Sequence, residues 1–188
     1  MNLKYNLYLA KYLIDTIPRV LSKIKITNTN HMIIEIRSIN DLFFVCFFLK
    51  HHSILKYKML MDMCCIHYLK SEYHIVYNFL NLKTNHRIFV KVKVFNHYAS
   101  LPTISFYYKS AGWLEREICD MFGIKFSGHV DLRRILTDYG FRGQPLRKTF
   151  PLIGYIEVRY DYAKKYLVYE PIEFSQTFRN FENFNPWG

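Results

Sequence analysis

The chain has 188 residues, 51% hydrophobic and 18% aromatic, and a formal net charge of +11. That length suits one domain with a short extension, and that composition excludes a disordered polymer. The charge is uneven: residues 1–94 hold fourteen Lys or Arg against five carboxylates, and residues 95–188 hold twelve against ten. A basic first half suggests nucleic acid, an anionic membrane surface or an acidic protein as partner, and reads equally as dispersed lysines that keep a sticky surface soluble.

In chain order, Leu3, Leu7, Ala10, Ile14, Ile17 and Leu21 recur at helical spacing, which predicts an amphipathic helix over residues 3–17 that Pro18 ends or kinks. Met32 to Arg37 reads as a short strand. Asn40 or Asp41 can cap a helix through LFFVCFFL, although that run reads equally as a buried strand. Tyr73 to Leu80 is a buried strand, and NLKTNH is a polar turn. Arg87 to Phe95 then alternates, with Ile88, Val90, Val92 and Val94 facing one way and the basic residues the other, so the two strands form an antiparallel hairpin.

Residues 104–122 switch to helical period, with Tyr107, Ala111, Leu114, Ile118 and Met121 as the apolar stripe and Gly123 as a left-handed C-cap. About thirty residues of little periodicity follow. A second hairpin pairs Tyr155–Asp161 with Lys165–Glu170, and residues 171–188 form a tail. The order helix, strands, helix, strands predicts an α+β domain over residues 1–170 with a mostly antiparallel sheet packed against helices, then a long irregular loop and the tail.

Cys46, Cys64, Cys65 and Cys119 have no CxxC spacing and read as small buried hydrophobes in a reducing compartment. The longest wholly apolar run, Leu42 to Leu49, has eight residues, where a membrane span needs about 20. The opening residues lack the pattern of a signal or transit peptide. Lys, Asn, Ile, Phe and Tyr make up 79 residues against four Ala, a bias toward AT-rich codons that suits an organelle genome.

The densest mixture of charge and apolar bulk is WLEREICDMFGIKFSGHVDLRRILTDYGF, residues 113 to 141. Glu115 and Glu117 lie about 160° apart on a helix and cannot converge on one substrate. Glu117 and Asp120 lie one turn apart and, with His129 beyond the glycine, make a carboxylate–carboxylate–histidine metal site conceivable. No HExxH or second ligand pair supports it. Lys109, Trp113, Arg116 and Asp120 share the face opposite the apolar stripe, and Trp beside Arg is what interface centres favour. Asp131, Arg133, Arg134 and Asp138 can fix an irregular loop by pairing guanidinium forks with carboxylates. No GxGxxG, Walker A or nucleophile motif is present. RIFVKVKVF offers Lys and Phe on one strand face, loosely like a base-stacking platform.

EREICDMFGIKFSGHVDLRRIL resembles the signature of the thirty-kilodalton subunit family of respiratory complex I, whose mitochondrial members are called NADH dehydrogenase subunit 9. Glu115, Arg116, Glu117, Asp120, Met121, Phe122, His129, Arg133, Ile135 and Leu136 fill the family pattern. The resemblance runs through residues 60–188 and is weak before them. It departs at Gln144 and Thr149, where the family usually has His and Asp, in a loop used for docking.

The resemblance implies a non-catalytic core subunit of the peripheral arm of NADH:ubiquinone oxidoreductase. Its place would be the matrix side of the mitochondrial inner membrane, and its gene mitochondrial. Its partners would be other peripheral-arm subunits, above all the large (forty-nine-kilodalton) quinone-site subunit, with no nucleic acid. No catalytic, cofactor-binding or metal-binding residue is expected in this chain, since the flavin and iron–sulfur clusters belong to other subunits. Glu115, Arg116, Glu117, Asp120, His129, Asp131, Arg133, Arg134 and Trp113 would then serve structure and docking. The tail aromatics Phe174, Phe178, Phe181, Phe184 and Trp187 recur every three or four residues and would dock on a partner as a helix face or an extended arm. A basic organellar nucleic-acid-binding protein is the alternative from another class.

Overall fold

A computed structural model describes residues 3–68, 72–95, 100–179 and 181. Helix α1, Leu3–Thr16, forms where the three-and-four spacing predicts it and buries Asn6, Leu9, Ala10 and Leu13. Strands β1, Leu21–Ile26, and β2, Met32–Ile36, follow as a hairpin. Helix α2, Asp41–His51, settles the ambiguous apolar run as helix. Strands β3, Met59–Tyr68, β4, Glu72–Asn81, and β5, His86–Phe95, complete a five-stranded sheet in the order β1-β2-β5-β4-β3. All its pairings are antiparallel except β2 with β5. The fold is therefore the expected α+β class with a mostly antiparallel sheet.

One sheet face carries the core. Ile88, Val90, Val92 and Val94 of β5 are at most 1% exposed, and Tyr73, Ile75, Tyr77 and Phe79 of β4 are buried beside them. The period-2 alternation of β5 thus does what it predicts, turning valines inward and Lys93 outward. Leu9 and Leu13 of α1 and Leu42, Val45 and Leu49 of α2 join the same cluster.

A polar thread crosses this core. Asn6 donates to the Asn30 carbonyl at 2.6 Å, and its oxygen accepts from His86 Nε2 at 2.6 Å. His86 Nδ1 in turn accepts the Tyr57 hydroxyl at 2.6 Å. With every polar atom in that chain partnered, α1 is fastened to the sheet at little desolvation cost.

Two strands escape the periodic reading for the same reason. A register shift between Leu60 and Asp62 interrupts the alternation of β3, and another between Leu21 and Lys23 interrupts that of β1. Each bulge puts two residues against one and hides the period from the sequence.

Strand β6, Ser100–Pro102, helix α3, Ala111–Phe122, and strand β7, Lys125–Ser127, follow. Strands β6 and β7 pair in parallel beyond the main sheet. The helix expected over residues 104–122 begins only at Ala111. Tyr107 and Tyr108 both donate to the Ile104 carbonyl, but Lys50 takes the Tyr107 carbonyl, and Ala111 donates to Tyr108 instead. The segment before α3 is therefore a turn. Of the cysteines expected to be buried, only Cys46 is; Cys64 is exposed, and Cys65 and Cys119 are half-buried. Strand β3 places Cys64 on the sheet face away from the core, which overturns that expectation.

Contacts divide the chain into Met1–Phe150 and Pro151–Gly188. The second unit is a hairpin of β8, Ile156–Asp161, and β9, Tyr166–Pro171. Across it Arg159 makes a two-pronged bond to Glu170, at 2.6 and 2.8 Å. Beyond Pro171 the described tail residues are neither helix nor strand. Phe174, Phe178 and Phe181 lie among them, with Arg179 stacked 4.9 Å from the Phe181 ring. Phe184 and Trp187 lie outside the described residues.

Candidate docking site on helix α3

Helix α3 is amphipathic in an unusual sense: two of its buried positions are carboxylates. Glu115 is fully buried and reaches back to the segment before the helix. It accepts the Ile104 N–H at 2.8 Å and the Thr103 hydroxyl at 2.5 Å. Burial pushes its carboxyl above the ordinary range, and those two bonds with the nearby His129 only partly offset this. His129 Nε2 stands 3.7 Å from Glu115 and donates to the Gly112 carbonyl at 3.1 Å. The Asp131 N–H donates to Nδ1, which leaves the ring proton on Nε2. Glu115 and His129 thus fasten both the approach to α3 and the start of the following loop.

Helical spacing sets Asp120 on the polar face with Lys109, Trp113 and Arg116. The structure corrects this: Asp120 is 1% exposed. One oxygen accepts the N–H groups of Ile135, Leu136 and Thr137 at 3.3, 2.9 and 3.0 Å, and the other accepts the Thr137 hydroxyl at 2.7 Å. Burial alone would raise its pKa, but the bonds from Thr137, Leu136 and Ile135 together outweigh it and hold the carboxyl below the ordinary range. The correction has a physical basis: a loop returning over the helix supplies donors that helical spacing cannot reveal.

The two adjacent arginines part company. Arg134 places Nε 3.5 Å from Asp120 and donates to the carbonyls of Phe141 and Gly143 at 2.6 and 2.7 Å. It spans the loop and ties its far side to the helix. Arg133 pairs with Asp131 at 2.9 Å in solvent, and its carbonyl accepts Arg116 Nε at 3.3 Å. Asp138 makes no ion pair with either; it accepts the N–H of Tyr139 at 2.7 Å and shapes a turn.

The end of α3 is closed by the expected left-handed Gly123, together with Leu146 and Arg147, which sequence reasoning missed. Gly123 donates to Cys119, Leu146 donates to the Met121 carbonyl, and Arg147 Nε donates to Phe122 at 2.6 Å. The carbonyls of Cys119, Met121 and Phe122, three of the last four of the helix, are thereby satisfied. Gly123 has φ +75°, and a Cβ there would overlap the Arg147 guanidinium and crowd Gln144 at 3.0 Å. Nothing in the spacing of Arg147 announces this contact, since it depends on the loop's path.

What remains outward is Trp113, 65% exposed, with the Arg116 guanidinium 4.8 Å from its ring. They line a cleft of about 280 Å³ with Lys109, Gly112, His129, Val130 and Asp131. Glu117 does not converge with Asp120 and His129: among the described residues no group of three or more His, Cys, Asp or Glu could hold a metal ion. The four thiols do not fit an iron–sulfur cluster either. Cys64 and Cys65 are consecutive in a strand and leave it on opposite faces. Burial pushes Cys65 up to about 12 and Cys46 higher still, which disfavours the thiolate.

Residues 36–156 match the profile of the family described as respiratory-chain NADH dehydrogenase, 30 Kd subunit. A relative named NADH dehydrogenase [ubiquinone] iron-sulfur protein 3, from Beta trigyna, is 42% identical over 97% of this chain and 95% of its own. NADH-ubiquinone oxidoreductase subunit 9 of Acanthamoeba castellanii is 45% identical over 86% of this chain and 80% of its own. The protein of the same name from Reclinomonas americana is 47% identical over 74% and 69% respectively. Among solved structures, a chain of an archaeal membrane-bound sulfane sulfur reductase shares the fold, with TM-score 0.69 at 19% identity over 79% of this chain and 87% of that one. A trypsin-resistant fragment of Nqo5 superposes with TM-score 0.54 at 25% identity, over 66% of this chain and 98% of the fragment.

Proposed function

Because the chain belongs to the thirty-kilodalton subunit family of respiratory-chain NADH dehydrogenase, we propose that within that enzyme complex it works as a docking scaffold and carries no catalytic group. It is a subunit of the peripheral arm of NADH:quinone oxidoreductase, and its partners are other subunits of that complex. Nothing favours a nucleic-acid-binding role. No described helix is long and apolar enough to cross a membrane.

The finer reading is carried by one observation: Asp120, buried in α3, gathers four donors from a loop that has almost no secondary structure of its own. Such a cluster fixes a shape and leaves no group poised for reaction, since both buried carboxylates are held by donors of the same chain. The shape it fixes presents Trp113 and Arg116, the pair suited to an interface centre. The proposed partner is the large quinone-site subunit, met on the matrix side by a mitochondrially encoded chain. The flavin and iron–sulfur clusters of the complex would then sit on other subunits. In that reading the tail from residue 171 is a second contact. Phe174, Phe178 and Phe181 follow one another at spacings of four and three in an irregular segment, as an arm laid in a partner groove would need.

Native-gel fractionation with mass spectrometry tests the assignment. The chain is expected in the band that oxidises NADH, cross-linked through the α3 cleft to the large quinone-site subunit. Migration with ribosomal RNA, or cross-links from Trp113 only to other subunits, would overturn it.

A further inference from the structure

We propose that the cleft on α3 is a carboxylate-recognition site: it takes an Asp or Glu side chain of a neighbouring subunit between Lys109 and Arg116, with Trp113 packed on the stem of that side chain. This rests on the docking reading above and adds the chemistry of the group that docks.

Arg116 is set for such a group before any partner arrives. Its guanidinium lies 4.8 Å from the Trp113 ring, and its Nε donates to the Arg133 carbonyl at 3.3 Å. Stack and bond together fix the plane of the fork. They engage Nε alone, so among the described residues the two terminal nitrogens have no acceptor. A guanidinium already held in one plane loses little freedom on meeting a carboxylate, which it binds through two parallel N–H bonds.

Lys109 lines the same cleft and is exposed. The carboxylates nearest to hand are already taken. Asp131 pairs with Arg133 at 2.9 Å, and buried Glu115 spends its oxygens on the Thr103 hydroxyl and the Ile104 N–H. The cleft thus offers two cations with donors to spare, and among the described residues no carboxylate answers them. An acidic group from outside is the complement.

Size and lining select among anions. The volume is about 280 Å³, below the roughly 300–1,000 Å³ of a cofactor or metabolite pocket. Beside the cations stand Trp113, 65% exposed, and Val130, 96% exposed. That apolar wall suits the methylene stem beneath a single carboxylate rather than a phosphate, whose whole surface is polar. A chain terminus is captured by free backbone N–H groups. Those of Gly112, Trp113 and Leu114 are already bonded to the carbonyls of Lys109 and Ser110. The occupant is therefore a side chain.

The test uses the assembled complex. A carbodiimide joins an amine to a touching carboxylate with no spacer, and peptide mass spectrometry reads the pair; in parallel, a benzophenone side chain at position 113 is photo-cross-linked. The expected result is coupling of Lys109 to an Asp or Glu side chain of the subunit that position 113 labels. Lys109→Glu should lower the assembled complex at least about fivefold, because like charges then meet. Changing the coupled partner carboxylate to Lys should restore it, which repair of a misfolded chain would not do. Arg116→Gln, as a second variant, should lower assembly likewise. Coupling of Lys109 to a subunit's C-terminus, to a second copy, to Asp131 or Glu117 of this chain, or to nothing overturns the proposal. So does a Lys109→Glu loss that the reversed partner charge leaves unrepaired. Any of these results alongside an intersubunit cross-link from position 113 defeats only this inference, while no intersubunit cross-link from that position defeats the docking reading with it.

Discussion

Replacing Asp120 with Ala removes the acceptor of three backbone N–H groups and one hydroxyl, and takes the carboxylate away from Arg134. Bonds to a charged acceptor contribute about 1.5–3 kcal/mol each, but they do not add, because residues 135–137 can recruit water once released. Losing one partner of a buried charged cluster costs about 3–5 kcal/mol, against a total stability of about 5–15 kcal/mol. With a urea slope of about 2 kcal/mol/M, the Asp120→Ala midpoint should fall by about 2 M. Asp120→Asn keeps one oxygen and should lose about 1–2 kcal/mol.

The pH dependence supplies an independent check. The folded carboxyl is held below the ordinary value of 3.8, so its contribution is present above that value and is lost as pH falls through the lowered one. Parent and Asp120→Asn should therefore differ at pH 7 and converge as the buffer drops below pH 3.8. Hydrogen exchange at Ile135, Leu136 and Thr137 should quicken in the variant at neutral pH. Equal midpoints for Asp120→Ala and parent, or a gap that stays constant down to strong acid, would refute the account of the loop.

Three other outcomes follow from the same geometry. Gly123→Ala places a side chain at φ +75° against Arg147 and Gln144 and should cost more than about 1 kcal/mol in chemical denaturation; an unchanged midpoint would contradict the close approach. Glu115 has its folded pKa raised by burial, so its charge weakens the fold as pH rises from the ordinary value through the raised one. Glu115→Gln should then match or exceed the parent at pH 7, while Glu115→Ala strands the Ile104 N–H and loses about 1–3 kcal/mol. His86 has its pKa lowered by burial below 6.5, so the unfolded chain binds the proton first and stability falls as pH drops from 6.5 toward the lowered value. Nitrogen NMR of the ring should show it neutral, with the proton on Nε2, at about pH 6.5; an ordinary titration midpoint would break the Asn6–His86–Tyr57 chain.

What the sequence disclosed, and what it withheld, divides along the range of the interactions. β5 is legible because each valine faces the core on its own strand, and Gly123 because a helix end demands φ above zero locally. β3 is not, since its bulge at Met61 is set by pairing with β4 rather than by its own residues. The signature marks Asp120 and Arg134 as members of one cluster, yet helical spacing puts Asp120 on the wrong face. Its partners lie fifteen to seventeen residues away in a loop whose path no periodicity describes. Arg133 and Arg134 look equivalent in sequence and differ only because one meets solvent while the other meets carbonyls at Phe141 and Gly143. The LFFVCFFL run reads as apolar throughout in either conformation; only the helix itself shows that half of its phenylalanine surface faces outward.

The most direct test of the scaffold claim is to measure, for Arg134→Lys in an intact complex, both the amount assembled and the NADH:quinone turnover per assembled complex. Lysine keeps the charge but cannot hold Asp120, Phe141 and Gly143 together from one planar fork. The expected result is several-fold less assembled complex with unchanged turnover in what remains, and near-normal assembly for Arg133→Lys, whose pair with Asp131 lies in solvent. Full assembly of Arg134→Lys with lowered turnover would contradict the account, because the cluster would then take part in the reaction rather than hold the surface that builds the complex.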